Sequence, residues 1–458
     1  MTSIQHILTS STDFFTTMMQ SLLTGQSSMA DLTQATESFV RKLGRDILTD
    51  VLEQTDEALY ETVKPTHAYH VKESKRPRTL TTTFGDITFH RHYYKHLPTG
   101  TYTCLLDTWC HLSPYSRIDV ACQAKMADYA KDYSYAKAAK LASPSSVSRQ
   151  SVKLVLDRLG VIPNTAAPLP EPRTEVGSVS VEADEDHTAM QRERNRQMRL
   201  AYVYEEKQSV GTNRRELTHK RVFTGYGNLW PEIQAYLQQV YGAPQVTILG
   251  DGAAWIQAGT SCIPNSQQVL DGFHAMKYLR KIAGRGSIQS LYDAILADDP
   301  ETFCQEVARK QRRSPRRTAG IARGMKYVLN HWQEIRSWLQ DPGKYASSTE
   351  GHVSHILSDR LSSRGMGWSP KGAECIARLR TLAENGGNVQ DYVVKHLTKT
   401  PAVMPDVEPQ VLEKQLHRRQ MKYGTYDAEH HFPMPGSEGA LHGRWMKDIQ
   451  NGGYQHIS

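Results

Sequence analysis

Three carboxylates in well-separated segments have the chemistry of a metal-dependent phosphoryl-transfer site. Asp184 closes the run Ser-Val-Ser-Val-Glu-Ala-Asp (178–184), Asp251 closes Val-Thr-Ile-Leu-Gly-Asp (246–251), and Glu350 opens a helical pattern within 347–357. Two acids at strand ends and a third on a later helix can converge on Mg²⁺ or Mn²⁺, hard cations that take oxygen ligands. Two such ions about 3.5–4 Å apart stabilise both the attacking and the leaving oxygen of an in-line displacement. With 48 Asp and Glu in the chain, position and not residue type must single these three out. Competing assignments exist for each. Glu182 and Asp186 alternate onto the same strand face as Asp184, and Asp251-Gly252 also reads as a turn. Ser347-x-x-Glu350 fits a capping box, in which Glu350 only caps a helix. Asp271, at another strand end, and His274 three residues on read as groups that support the ligands or position substrate. His352 and His355 sit i, i+3 beside Glu350, but no H-E-x-x-H zinc motif accompanies them.

Bringing such acids together requires a sheet. Residues 163–175 form a Pro-rich linker, the clearest boundary in the chain. Beyond it, strand patterns at 176–184, 200–205 and 216–224 precede a helix at 229–241 and a strand at 245–250. A short helix around Trp255, a strand at 267–271 and a helix at 273–282 follow. The order βββαβαβα, an antiparallel meander followed by parallel strands, predicts an α/β core of ribonuclease-H-like type with a mixed five-stranded sheet spanning 176–400. Residues 283–345 are basic and helical, the pattern of a helical insertion, and 401–458 read as a peripheral tail.

Upstream, 1–75 carries helical apolar stripes (Phe14, Phe15, Met18, Met19, Leu22; Phe39, Val40, Leu43, Ile47, Val51), which suit core packing or an oligomer surface. Residues 76–116 contain a β-hairpin around Phe84-Gly85-Asp86. His90 and His92 alternate onto one face of it, a polar strand face more than a metal site. In 117–162, a short helix at 135–141, a turn at 142–146 and a longer helix at 147–159 match a helix-turn-helix. Arg149, Gln150 and Lys153 fall on the exposed N-terminal side of that second helix, where base edges are read.

The net charge is +7 and the isoelectric point about 8.9, with basic clusters at 72–78, 309–317 and 418–419. Such clustering favours a polyanionic partner such as double-stranded DNA. Six cysteines without C-x-x-C spacing read as reduced core residues. No signal-peptide pattern and no apolar run of about 20 residues occur, so a cytoplasmic protein without a membrane partner is expected. P-loop, G-x-G-x-x-G and G-x-S-x-G motifs are absent, which argues against nucleotide-binding and serine-hydrolase classes.

Four motifs in order carry a family resemblance: Val-Glu-Ala-Asp-Glu-Asp-His (181–187), Leu-Gly-Asp-Gly-Ala-Ala-Trp-Ile (249–256), Leu-Asp-Gly-Phe-His-Ala-Met-Lys-Tyr-Leu (270–279) and Glu-Gly-His-Val-Ser-His-Ile-Leu-Ser-Asp-Arg-Leu-Ser-Ser-Arg (350–364). With Arg91-His-Tyr-Tyr-Lys95, Leu105-Leu-Asp107 and Ser134-Tyr135-Ala-Lys137 upstream, the chain resembles the ISLre-type insertion-sequence transposases, bacterial relatives of the mutator-like DDE transposases, over about 35–390. The resemblance implies a ribonuclease-H-like catalytic domain whose acidic triad falls on Asp184, Asp251 and Glu350, holding two Mg²⁺ or Mn²⁺. It further implies an upstream region that binds terminal inverted repeats, and a dimer or larger synaptic complex acting on the nucleoid. Arg360 and Arg364 would then face backbone phosphates. A ribonuclease-H-like nuclease or resolvase, and a binding-only descendant of a transposase, are the alternatives.

Overall fold

The computed structural model describes residues 3–398, except 211–214, 344 and 346–348, together with Gln410 and Lys414. Two helices, α1 (Ser3–Leu23) and α2 (Met29–Val63), open the chain. They pack through Phe14 on Phe39, ring centroids 4.2 Å apart, yet Phe15, Met19 and Leu22 stay largely exposed. Core packing thus accounts for only one face of these stripes. The C-terminal half of α2 lies on a hairpin of β1 (Tyr69–Thr82) and β2 (Gly85–His96), with the short β3 (Tyr102–Thr103) beside it. The two histidines of one β2 face dock this helix: His92 Nδ1 lies 2.6 Å from Asp56 Oδ2, which also accepts the His92 amide, and His90 Nδ1 lies 3.0 Å from Glu53. Glu53 and Asp56, i and i+3, meet residues two apart on a strand, so helix and strand periods match over one turn.

After α3 (Leu105–Trp109), a helical trio of α4 (Val120–Asp132), α5 (Tyr135–Ala142) and α6 (Arg149–Leu159) follows. Asp119, Ser134 and Ser148 each cap the next helix by accepting a backbone amide, as a helix N-terminus requires. The central sheet comprises β4 (Ser178–Thr188), β5 (Arg196–Tyr204) and β8 (Arg221–Gly225) as an antiparallel meander, interrupted by a small ribbon of β6 (Lys207–Ser209) and β7 (Arg215–Leu217). The predicted strand at 216–224 is therefore two strands serving different sheets. Past α7 (Trp230–Tyr241), β9 (Gln245–Gly250) joins β4 in parallel, and past α8 (Ala254–Cys262), β10 (Ser266–Leu270) joins β9 in parallel. The spatial order is β10-β9-β4-β5-β8.

Both faces and both edges of this sheet are covered. Val181, Ala183, Val203 and Ile248 face α7 and α8. Met198, Leu200, Tyr202 and Val222 face α4, α6 and α16 (Pro370–Glu384), so the upstream trio and the sheet share one core. Between them comes α9 (Gly272–Ala283), then the insertion helices α10 (Gln289–Leu296), α11 (Pro300–Arg313), α12 (Thr318–Asn330) and α13 (Trp332–Gln340). The chain continues through α14 (Thr349–Val353), a π-helical turn Ser354–Ser358, and α15 (Asp359–Leu361). The last helix is α17 (Val389–Leu397), which lies on α4. Edge strand β10 is covered by α13. The open groups of β8 are met by amide side chains: Asn385 bonds both N–H and C=O of Val222, and Asn164 bonds those of Thr224. Capping an edge in this way removes a template for unwanted strand addition.

The start of the Pro-rich stretch packs against the sheet. Asn164 is buried, and the Arg221 guanidinium donates to the carbonyls of Asn164, Ala167 and Pro168. The residues that follow, 168–172, are exposed. The six cysteines are free thiols, three of them buried. No helix among the described residues is long and apolar enough to cross a membrane.

Asp56→Ala would leave two buried donors of His92 unmatched and should cost about 3 kcal/mol in urea unfolding. Glu53→Ala, at an exposed pair, should cost well under about 1 kcal/mol. Equal losses would contradict this account of how α2 is held.

Candidate active site

Strand register decides which acids meet. The β4–β9 ladder ends at Glu182↔Leu249 and the β9–β10 ladder at Leu270↔Gly250. Continued past those ends, the same registers set Asp184 opposite Asp251 and Asp251 opposite Asp271. Three acids thus stand in one row across the carboxyl edge of three neighbouring parallel strands, the place where open α/β sheets bind ligands. Asp184 is not a strand end, as the sequence pattern suggested. β4 continues to Thr188 because β5 runs on beside it, and only its β9 flank is released.

Each carboxylate is half engaged. Asp184 Oδ1 accepts the Glu185 amide at 2.8 Å and Asp251 Oδ1 accepts the Ala253 amide at 2.8 Å. The second oxygen of each has no hydrogen-bond partner among the described residues. Burial, followed by the Asp251 charge, pushes the Asp184 carboxyl up to about 6, against the Glu185 amide and nearby His274. Asp271 uses Oδ1 to cap α9 through the Phe273 amide and Oδ2 to hold His274 Nδ1 at 3.2 Å. That bond, with the negative charges of Asp251, Asp271 and Asp184, raises the imidazole's pKa despite burial. Crowded, half-engaged carboxylates suit a divalent cation, which would relieve their repulsion while water and phosphate complete its shell. Among the described residues, however, no group of three or more His, Cys, Asp or Glu is arranged to hold a metal. The Glu350 side chain and the Ser347 cap lie outside the described residues. The backbone of Glu350 belongs to α14, which packs against β4.

The neighbouring acids on β4 have other partners. Glu182 is fully buried, 2.7 Å from Lys207 Nζ, and accepts the hydroxyls of Tyr202 and Tyr204. Burial alone would raise its pKa, but Lys207 and the two tyrosines bring it down to about 2. Asp186 accepts Ser362 Oγ at 2.9 Å, beyond the row of acids. His352 packs its ring 4.5 Å from Tyr202 and is held below the ordinary histidine range, chiefly by burial. The histidine pair beside Glu350 therefore serves packing, at least through His352.

The helical insertion supplies support that spacing alone did not reveal. Tyr327 donates its hydroxyl to the Asp251 carbonyl and stacks on Tyr278 with centroids 3.6 Å apart. A Cβ on Gly252, which has φ +85°, would lie 2.6 Å from His331. One on Gly272 would lie 2.5 Å from Trp338. Both acid turns are thus pressed between their strands and the insertion, and the Asp-Gly pairs at 251–252 and 271–272 are the sequence signal for it. Trp255 Nε1 donates to Glu185 at 2.6 Å, tying α8 to β4 beside Asp184.

The candidate DNA contacts divide. Arg149, Gln150 and Lys153 lie exposed on the first turns of α6, Lys153 paired with Asp157 at 2.5 Å. Arg360 must be corrected: it is 1% exposed, donates to the Ala130 carbonyl and lies 4.7 Å over Trp368. A π-helical turn, Ser354–Ser358, precedes it. Arg364 remains at the surface but donates to the Asp132 carbonyl at 3.0 Å, which ties it to α4.

The sequence matches the uncharacterised protein family UPF0236 over residues 22–396. A UPF0236 protein of Caldanaerobacter subterraneus subsp. tengcongensis is 30% identical over 382 residues, covering 81% of this chain and 82% of the relative. A second from the same organism is 29% identical over 402 residues, with 84% and 85% covered. A UPF0236 protein in the vanSb 3′ region of Streptococcus gallolyticus is 23% identical over 384 residues, with 76% and 82% covered.

Two outcomes test the electrostatics. The folded pKa of Asp184 lies above its unfolded value of 3.8, so its contribution to stability is complete below 3.8 and lost as pH rises through about 6. In chelator above that window, Asp184→Asn should raise the unfolding free energy by up to roughly 3 kcal/mol, a gain that disappears in acid. A less stable variant would show that Asp184 is a structural acid. Glu182→Gln should do the opposite, costing about 3–5 kcal/mol in thermal or urea unfolding because Lys207 loses its buried counter-charge.

Proposed function

The chain belongs to the UPF0236 family, and we propose that it is a DNA transposase, binding the terminal repeats of its own element and catalysing metal-dependent strand cleavage and transfer. The observation that carries this reading is the register row of Asp184 and Asp251 at the carboxyl edge of β4 and β9, each with one oxygen free. Asp184, Asp251 and Glu350 would hold Mg²⁺ or Mn²⁺, which supplies Lewis-acid stabilisation of the attacking and leaving oxygens when bound. Water and then a DNA 3′-hydroxyl would be the nucleophiles.

Further support comes from the topology and the relatives. A three-stranded meander continued by two parallel strands, with a helical insertion before the third acid, is the arrangement expected of a ribonuclease-H-like DDE core. The upstream trio offers Arg149, Gln150 and Lys153 at the start of an exposed helix, as major-groove reading requires. The name of one Caldanaerobacter relative carries eleven separate designations. One protein under many designations in a single organism is expected of a gene that multiplies through a genome. Synapsis of two element ends would require a dimer or larger assembly, working on double-stranded DNA at the nucleoid.

The test is cleavage of DNA carrying the sequences that flank the gene. Asp184→Asn and Asp251→Asn should each lower Mg²⁺-dependent cleavage by about a thousandfold or more, several kcal/mol of transition-state stabilisation, while end binding persists. Glu350→Gln should behave alike and keep its melting temperature, because glutamine also fills the third position of a capping box. Near-normal cleavage by Glu350→Gln would reduce that residue to a cap. Cleavage of branched DNA without strand transfer would instead identify a resolvase.

A further inference from the structure

The upstream body contains a second site that the proposed chemistry does not use. Between the β1–β2 hairpin and the loop that leads into α4 lies a cavity of about 810 Å³. Four arginines line it, Arg76, Arg78, Arg91 and Arg117, against a single carboxylate, Asp107. Arg78 and Arg91 are buried and share that carboxylate at 2.6 and 2.9 Å, so the floor is rigid and retains a net positive charge. Arg117 is exposed and Arg76 is half-exposed at the rim. Arg78 also donates to the carbonyls of Ser113 and Ser116, which fixes the loop carrying Tyr115.

Aromatic rings accompany the charge. The Arg76 guanidinium lies 4.3 Å over Tyr93, and Tyr93 stacks on Tyr102 with centroids 5.7 Å apart. Tyr102 ends this ladder 54% exposed, and Tyr115 is 99% exposed on left-handed backbone of φ +61°. Burying neither ring forgoes a large apolar gain, and the loop holds Tyr115 out at a strained position. His111, also on left-handed backbone, lines the same cavity with a buried Nδ1 that has no hydrogen-bond partner. Cations that track phosphates and rings that stack on bases are the components of a single-strand binding site. A duplex hides its base faces, and a cavity of this size suits one or two nucleotides rather than a double helix.

We propose that this groove binds unpaired nucleotides of a DNA strand, stacking bases on Tyr102 and Tyr115 and placing phosphates between Arg76 and Arg117. The proposal rests on the reading of the chain as a DNA-processing protein, and it adds a separate single-strand site some distance along the chain from the acids. Thr81 N donates to the Arg117 carbonyl and Asp119 caps α4, so the groove is continuous with the helical trio. Strand ends opened during cleavage would have a place to be held.

Fluorescence anisotropy of the full chain in chelator tests this, with labelled oligo-dT, the same strand annealed to oligo-dA, and thymidine monophosphate as competitor. Oligo-dT should bind more tightly than the duplex. Tyr102→Ala and Tyr115→Ala should each weaken oligo-dT by about tenfold, the scale of one base–aromatic stack, and leave the duplex within about twofold. Both side chains are exposed, so the variants should melt like the parent, and Tyr102→Phe should retain binding. Unchanged oligo-dT affinity in the double alanine variant, or equal loss for both DNA forms, would overturn the proposal. Displacement by the mononucleotide at equal affinity would reassign the groove to free nucleotides. Intact, tyrosine-dependent oligo-dT binding without any Mg²⁺-dependent cleavage would sink the transposase reading while leaving the groove in place.

Discussion

Parallel pairing of β4 with β9 stops at Glu182↔Leu249, and the arrangement of the candidate site follows from where it stops. Had the ladder run two residues further, the backbone around Asp184 and Asp251 would be closed by sheet hydrogen bonds. Released there, the two acids turn their carboxylates onto local amides and keep one oxygen each open. Burial and, after it, repulsion from the Asp251 charge oppose ionisation of Asp184, as its raised pKa records. A fold maintains such repulsion only when its surroundings over-determine the geometry.

Those surroundings come from both sides of the row. On one side, Glu182 anchors β4 to β5 through Tyr202, Tyr204 and Lys207, a fully satisfied buried network. On the other, Tyr327, His331 and Trp338 of the insertion press on the turns after Asp251 and Asp271. The insertion is therefore part of the site's scaffold. It also covers the β10 edge, so one element both stabilises the sheet and fixes the acids at its end.

The same economy joins the upstream helices to the sheet. α16 packs between the β5–β8 face and the α4–α6 trio, and Arg360, Arg364 and Arg380 all reach the C-terminal end of α4. Arg360, Arg364 and Arg380 thus serve as rivets between the upstream helices and the sheet. A trio fixed in this way presents α6 at a set distance from the row of acids.

Much of this was legible in residue patterns. Alternating and 3.6-residue periods located β4, β5, β9, β10 and the helices between them, because one buried face imposes its period on each segment. The motifs containing Asp184, Asp251 and Asp271 also stood out, although only Asp251 and Asp271 follow a strand's last residue, because β4 runs on past Asp184. Period cannot say which strand lies beside which, nor how far each ladder runs. Only the tertiary structure tied Glu182 to a lysine that arrives from β6 and Asp186 to Ser362, and set Asp184 in register with Asp251. It alone placed Arg360 against Trp368 and the end of α4. Local sequence determines what each segment must bury, whereas the partner that buries it comes from far along the chain, and that partner decides the role of every polar residue at the seam.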